Sequence, residues 1–152
     1  MTTRRSGNDF QLRVKRILES WGYVVHNFPM SAVPVRAVGG AVLVKGGRPV
    51  FSRKSNDVFG CDLVCRNPLD LKKKVRWIQA TRHTAIKKRL EEFQKHWTFT
   101  LPYEVVELWM ARKDGTIRIL EYLPGLPELQ VRGRIVKGKF ESSTPIVGES
   151  KS

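Results

Sequence analysis

Cysteine and acid are both scarce in this chain: two cysteines and 14 acidic residues in 152, against 28 lysines and arginines. Two cysteines exclude a disulfide-built scaffold. On an extended strand, Cys61 and Cys65 face the same way about two pleats apart, too far for easy bridging. They read as buried thiols of a reduced, intracellular protein, and Zn²⁺ ligation lacks nearby partners. No apolar run approaches bilayer length. The start, Met1 to Gln11, is polar with no apolar stretch behind it, which predicts no signal peptide. An aromatic-rich sheet signature and a glycine-containing RNA module are also missing, which argues against a dedicated RNA binder.

What remains is strongly basic. The formal charge is +14 and the apolar content 41%, enough for one domain with a core. From Arg36 to Lys54 there are five basic residues and no acid; the others are Lys45, Arg48 and Arg53. A second group runs from Lys72 through Arg76 to Arg82, Lys87, Lys88 and Arg89, and a third from Arg132 to Lys139. Such a surface attracts polyanions and makes binding salt-dependent. No basic amphipathic helix carries an aromatic insertion face, so nucleic acid is the expected partner and a membrane is not.

Hydrophobic spacing predicts a helix over 9–21, with Phe10, Val14, Ile17, Leu18 and Trp21 on one face, Ser6 or Asn8 as its cap and Gly22 as its stop. Tyr23–Val25 favours a strand. Residues 29–56, punctuated by Gly39-Gly40, Gly46-Gly47 and Pro49, read as an inserted basic hairpin or flap. Strands are expected at 58–65 and 75–81, a basic helix at 84–97, and a hairpin of 104–112 with 116–122 around Asp114-Gly115. Residues 123–152 read as a basic C-terminal extension with one short strand near 135–140 and a loose end. The expected fold class is α/β: a central mixed sheet flanked by helices.

Asp62 sits inside an apolar run, where an acid needs partners. By strand alternation Asp62 and Val64 point one way and Cys61, Leu63 and Cys65 the other, while Gln79 and Thr81 share a face of the next strand. Asp62, Gln79 and Thr81 then converge at the sheet edge, with Asp57 five residues before Asp62 and Gln11 leaning in from the first helix. Asp62, Gln79 and Asp57 offer hard oxygens for Mg²⁺ or Mn²⁺, and such an ion activates water and neutralises charge growing on a phosphate. The structural alternatives are an aspartate satisfied by loop amides, a glutamine satisfying backbone groups, and a threonine serving as a strand residue or helix cap. Thr81 or Thr84 would cap the basic helix. Arg82, Lys87 and Lys88 read as phosphate clamps, and His83 as a surface histidine or a proton shuttle. Arg36, Lys45, Arg48, Arg53 and Lys54 would track the nucleic-acid backbone.

The helix that begins Phe10-Gln11-Leu12-Arg13, the run Phe59-Gly60-Cys61-Asp62-Leu63-Val64 and the run Trp77-Ile78-Gln79-Ala80-Thr81 together resemble the nuclease superfamily that contains restriction endonucleases and archaeal-type Holliday junction resolvases. The resemblance spans roughly residues 6–109. It places Gln11 at the family's helix glutamate, Asp62 at its metal-binding aspartate, and Gln79 and Thr81 in its Glu-x-Lys element. It implies a restriction-endonuclease-like core and Mg²⁺- or Mn²⁺-dependent cutting of DNA at four-way junctions, leaving 5′-phosphate and 3′-hydroxyl ends. It also implies a homodimer, for paired cuts, in the cytoplasm of a bacterial or phage-infected cell. Two acids and the lysine are replaced, so either Lys87, Lys88 or Arg82 supplies the missing charge, or the protein binds branched DNA without cutting it.

Overall fold

The structure is a computed structural model that describes residues 3–28, 31–54, 57–69, 74–82 and 86–143, without the side chains of 3–8, 31–33 and 52–54. A seven-stranded mixed sheet organises it. Helix α1 (Thr3–Ser20) leads into strand β1 (Val24–Asn27), and β6 (Leu63–Arg66), β7 (Val75–Arg82), β8 (Glu104–Ala111), β9 (Ile117–Tyr122), β10 (Gln130–Val136) and β11 (Lys139–Ser142) lie beside it in that spatial order. The pairs β1–β6 and β6–β7 are antiparallel. Helix α2 (Ile86–His96) then carries the chain across to β8, which lies parallel to β7, as a helical crossover allows and a tight turn does not. The pairs β8–β9, β9–β10 and β10–β11 are antiparallel hairpins.

Two cores result from strand alternation. On one face Phe10, Val14 and Leu18 of α1, at helical spacing, pack on Leu63, Cys65, Ile78, Ala80, Trp109 and Ile119. On the other, Phe93 and Trp97 pack on Val106, Leu108, Leu120 and Tyr122. Gly22 ends α1 at φ 93°, with Tyr23 N–H bonded to Leu18 C=O at 3.0 Å and Gly22 N–H to Glu19 C=O at 3.0 Å. That pair of bonds is a Schellman motif.

Residues 31–54 form paired arms, β2 (Ser31–Pro34) with β5 (Phe51–Lys54) and β3 (Val44–Lys45) with β4 (Arg48–Pro49). Arg36, Lys45 and Arg48 are exposed on these arms, and Arg36 donates to Gly40 C=O at 3.1 Å. Arg53 and Lys54 lie on β5, their side chains outside those described.

Four expectations need correction. Helix α1 starts at Thr3, so Ser6 and Asn8 lie within it and do not cap it. The apolar run from Val58 is not all strand. Val58 and Cys61 exchange backbone hydrogen bonds of 3.1 and 2.9 Å across Phe59 and Gly60, whose φ angles are 54° and 76°. This tight turn has the positive-φ pair of a type I′ hairpin, and it puts Cys61 in the α2-side core, opposite Leu63 and Cys65. Thr81 lies inside β7, so it caps nothing; Thr84 and His83 fall outside the described residues, as does the end from 144. The C-terminal segment holds two strands, because Lys137-Gly138, at φ 51° and 77°, makes a second tight turn. Among the described residues, no helix is long and apolar enough to cross a membrane.

Candidate active site

Asp62 stands one residue ahead of β6, just past the 58–61 turn, and is 3% exposed. Its backbone N–H bonds Ile78 C=O at 2.9 Å, and its Oδ2 accepts the Ala80 N–H at 3.1 Å. The carboxylate thus takes up an amide near the strand's end, and it is pinned against β7 in doing so. The turn also returns the chain so that the half-buried Asp57 carboxyl hydrogen-bonds the Asp62 carboxyl. Two acids this close cannot both stay charged. Burial first, then the hydrogen bond and charge of Asp57, push Asp62 up to about 8, opposed by the Ala80 amide and Arg89. Burial and the same two acids also drive the Cys61 thiol well above its ordinary range, which keeps it an inert thiol.

Gln79 is 2% exposed. The β6–β7 register continued by one residue sets it opposite Asp62. Its Nε2 reaches Ala80 C=O at a long 3.5 Å, while Oε1 has no partner. On the other wall, the charge of Arg89 from α2 acts on Asp62; its Nε is buried without a partner, and its guanidinium lies 3.8 Å from Glu92. These two atoms are the buried side-chain polar atoms left unpaired among the described residues; Gln79 is set opposite Asp62 by register, and Arg89 acts on Asp62 through its charge. Unpaired buried polar atoms are rare enough that each calls for a cause. Gly60 lies against α2, where a Cβ would make ordinary contact with Glu92 Cβ at 3.7 Å and His96 Cδ2 at 3.6 Å; what the position asks of glycine is its φ of 76°.

Asp62, Gln79 and Asp57 therefore come together as anticipated. Thr81, 8% exposed, is the next residue after Gln79 on the same face of β7. Gln11 is half-buried on α1, which covers the opposite face, and hydrogen-bonds none of these groups. Lys87 and Lys88 are exposed on α2, and Arg82 is exposed at the end of β7. Arg89 is the residue that sequence reasoning misses. A signal for it exists: it lies three residues after Ile86 and four before Phe93, on the flank of the apolar stripe, where the lysines before it face water.

Among the described residues no group of three or more His, Cys, Asp and Glu side chains is placed to hold a metal ion. Two carboxyls and one unpaired amide oxygen nonetheless suit Mg²⁺ or Mn²⁺, hard ions that take oxygen donors and commonly keep several waters. A cation would relieve the crowding that holds a proton on the acid pair. No protein-family model matches the chain, and neither curated proteins nor solved structures give a significant match.

Proposed function

We propose that this protein is a divalent-metal-dependent DNA endonuclease with a restriction-endonuclease-like core, selective for branched DNA such as four-way junctions. The observation that carries the reading is the carboxyl pair of buried Asp62 and half-buried Asp57 beside the unpaired Gln79 Oε1. Its support in the fold is the order α1, β1, β6, β7, α2, β8, with the acid leading the second of these strands and Gln-x-Thr within the third. The +14 charge supports a polyanionic substrate.

Asp62, Asp57 and Gln79 Oε1 would hold Mg²⁺ or Mn²⁺. The ion supplies water activation at neutral pH and neutralises charge on the phosphate. The Ala80 N–H fixes the orientation of Asp62, so the donor set needs little reorganisation. Arg89, whose unpaired Nε is buried beside the cluster on α2, supplies the positive charge that Thr81 cannot. Its planar fork is suited to a phosphate oxygen pair. Lys87 and Lys88 face outward and serve backbone contacts instead. Paired cuts across a junction need two centres, which a two-fold dimer provides.

A second reading, branched-DNA binding without turnover, draws on Thr81, which is buried on β7 where a lysine would be needed. Cleavage of a labelled four-way junction, beside linear duplex and single strands, separates them. With Mg²⁺ or Mn²⁺ we expect paired nicks that EDTA and Asp62→Ala abolish, and a rate loss of about 10²-fold or more for Arg89→Ala. Tight junction binding with no cutting under any metal condition would favour the binding protein. Cutting that survives Asp62→Ala would remove this centre from the chemistry.

A further inference from the structure

Charge on the main sheet is sorted along the strand axis. The end at which β7 and β8 finish carries Arg82, Arg112, Lys113, Arg118, Arg134 and Lys137, because the β8–β9 and β10–β11 turns both lie there. The opposite end carries Glu104, Glu107, Glu121 and Glu128 beside Arg66, Lys74, Arg76 and Arg132, so its charges balance, and Glu107 bonds Arg76 at 2.8 Å and Glu121 bonds Arg132 at 2.6 Å. At the basic end only Arg134 is so engaged among the described residues, with Glu141 at 3.0 Å. Asp114 there is occupied by its own turn, accepting Thr116 N–H at 3.0 Å and Thr116 Oγ1–H at 2.6 Å.

Register connects this end to the catalytic cluster. Thr81, Met110, Arg118, Arg134 and Glu141 are successive cross-strand partners, hence on one face, and it is the face that bears Gln79. At strand spacing the Arg118 Cα lies about 10 Å from that of Thr81, and Arg134 about 5 Å further. Arg112, Arg118 and Arg134, with the engaged acids Asp114 and Glu141, line an open groove of about 400 Å³ that no residue of α2 enters. Arg118 is half-buried, and its guanidinium makes no hydrogen bond or ion pair with any described residue. Its guanidinium is not among the buried unpaired groups, so it faces the open groove, where it can exchange water for an anion. Val131 is the one apolar side chain among the groove's lining residues. A protein partner would want an apolar centre, whereas arginines set a strand apart suit successive phosphates.

We propose that this arginine groove is the track on which a DNA backbone lies as it leaves the Asp57–Asp62 centre, with Arg118 as its anchor. The track rests on the nuclease reading only for the identity of its polyanion, and it differs from the 31–54 arms and from the outer face of α2. The test is fluorescence-anisotropy binding of a labelled four-way junction and a duplex, in EDTA, across a NaCl series. Arg118→Ala should weaken both complexes several-fold and flatten the slope of log K against log salt by about 0.9. Arg112→Glu, on an exposed turn where folding is not at stake, should do the same or more, while Arg66→Ala at the opposite end of the sheet leaves slope and affinity unchanged. Wild-type affinity and slope in both groove variants would overturn the track. A reduced slope in a protein that never cuts DNA would keep the track and refute the nuclease. Failure of the unmodified chain to bind any DNA would refute both.

Discussion

Asp62 is held in a state that costs stability as pH rises. Without metal, the folded protein keeps a proton on this buried acid up to about pH 8, whereas the unfolded chain releases it near pH 4. Between those values the folded state binds more protons than the unfolded state, so stability falls as pH rises and levels off above about 8. Thermal melts in EDTA should therefore show a midpoint that declines from pH 5 to pH 8. Asp62→Asn should remove most of that decline, because the amide oxygen still accepts the Ala80 N–H and no charge is buried. At pH 8 the variant should be more stable by on the order of 1 kcal/mol or more, and inactive in cleavage. A wild-type midpoint flat across this range would show that the pair is not crowded. That Asp62 and Gln79 would face one another was legible from strand alternation, and an acid inside an apolar run needs partners. Arg89 was not: a third basic residue in Lys-Lys-Arg looks like more solvated surface until the helix rotation is known.

Among the elements, β7, β8 and β9 lie close to where alternation and the Asp114-Gly115 turn put them, whereas the two Phe59-Gly60 and Lys137-Gly138 turns escaped. Both have a bulky residue at positive φ in the first central position, where Asn, Asp or Gly is the usual signal. The Phe59 turn is held from outside: its carbonyl accepts Trp97 Nε1–H at 2.9 Å and its ring packs edge-on against Trp77 and Trp97. Tertiary contact thus overrides a local preference that costs about 1 kcal/mol or more. The Lys137-Gly138 turn depends instead on the fit of β11 against β10. At the β10 bulge, Gly133 lies against β11 so closely that a Cβ would sit 2.3 Å from Glu141 C=O and 2.6 Å from the Phe140 ring. Gly133→Ala must push β11 away from β10. We expect a loss of about 1–3 kcal/mol in urea unfolding, with hydrogen exchange quickening in 139–142 and not in β7 or β8. Uniform protection across the sheet in that variant would mean that the edge pair adapts without separating.

For the whole molecule, an excess of 14 positive charges sets two electrostatic effects against each other. Self-repulsion destabilises the compact state, and the ion pairs stabilise it. The Arg134–Glu141 pair is exposed at 60% and 52%, where such a pair contributes little. The Arg76–Glu107 pair is largely buried and bidentate, so salt hardly reaches it. Screening therefore removes mainly the repulsion. Its range shortens from about 30 Å at 10 mM salt to about 8 Å at 150 mM, from wider than the separation of neighbouring basic groups to about their spacing on the sheet. The melting midpoint should then rise with NaCl over this interval, by about 2–4 °C if roughly 1 kcal/mol of repulsion is relieved, while DNA affinity falls steeply over the same interval. A midpoint that falls with salt would assign the stability to exposed ion pairs instead. Under the proposed function the opposite signs for folding and binding share one cause: the charge that the fold tolerates at a cost is the charge a polyanion would take up, and the sheet gathers much of it at the end where Asp62 meets β7.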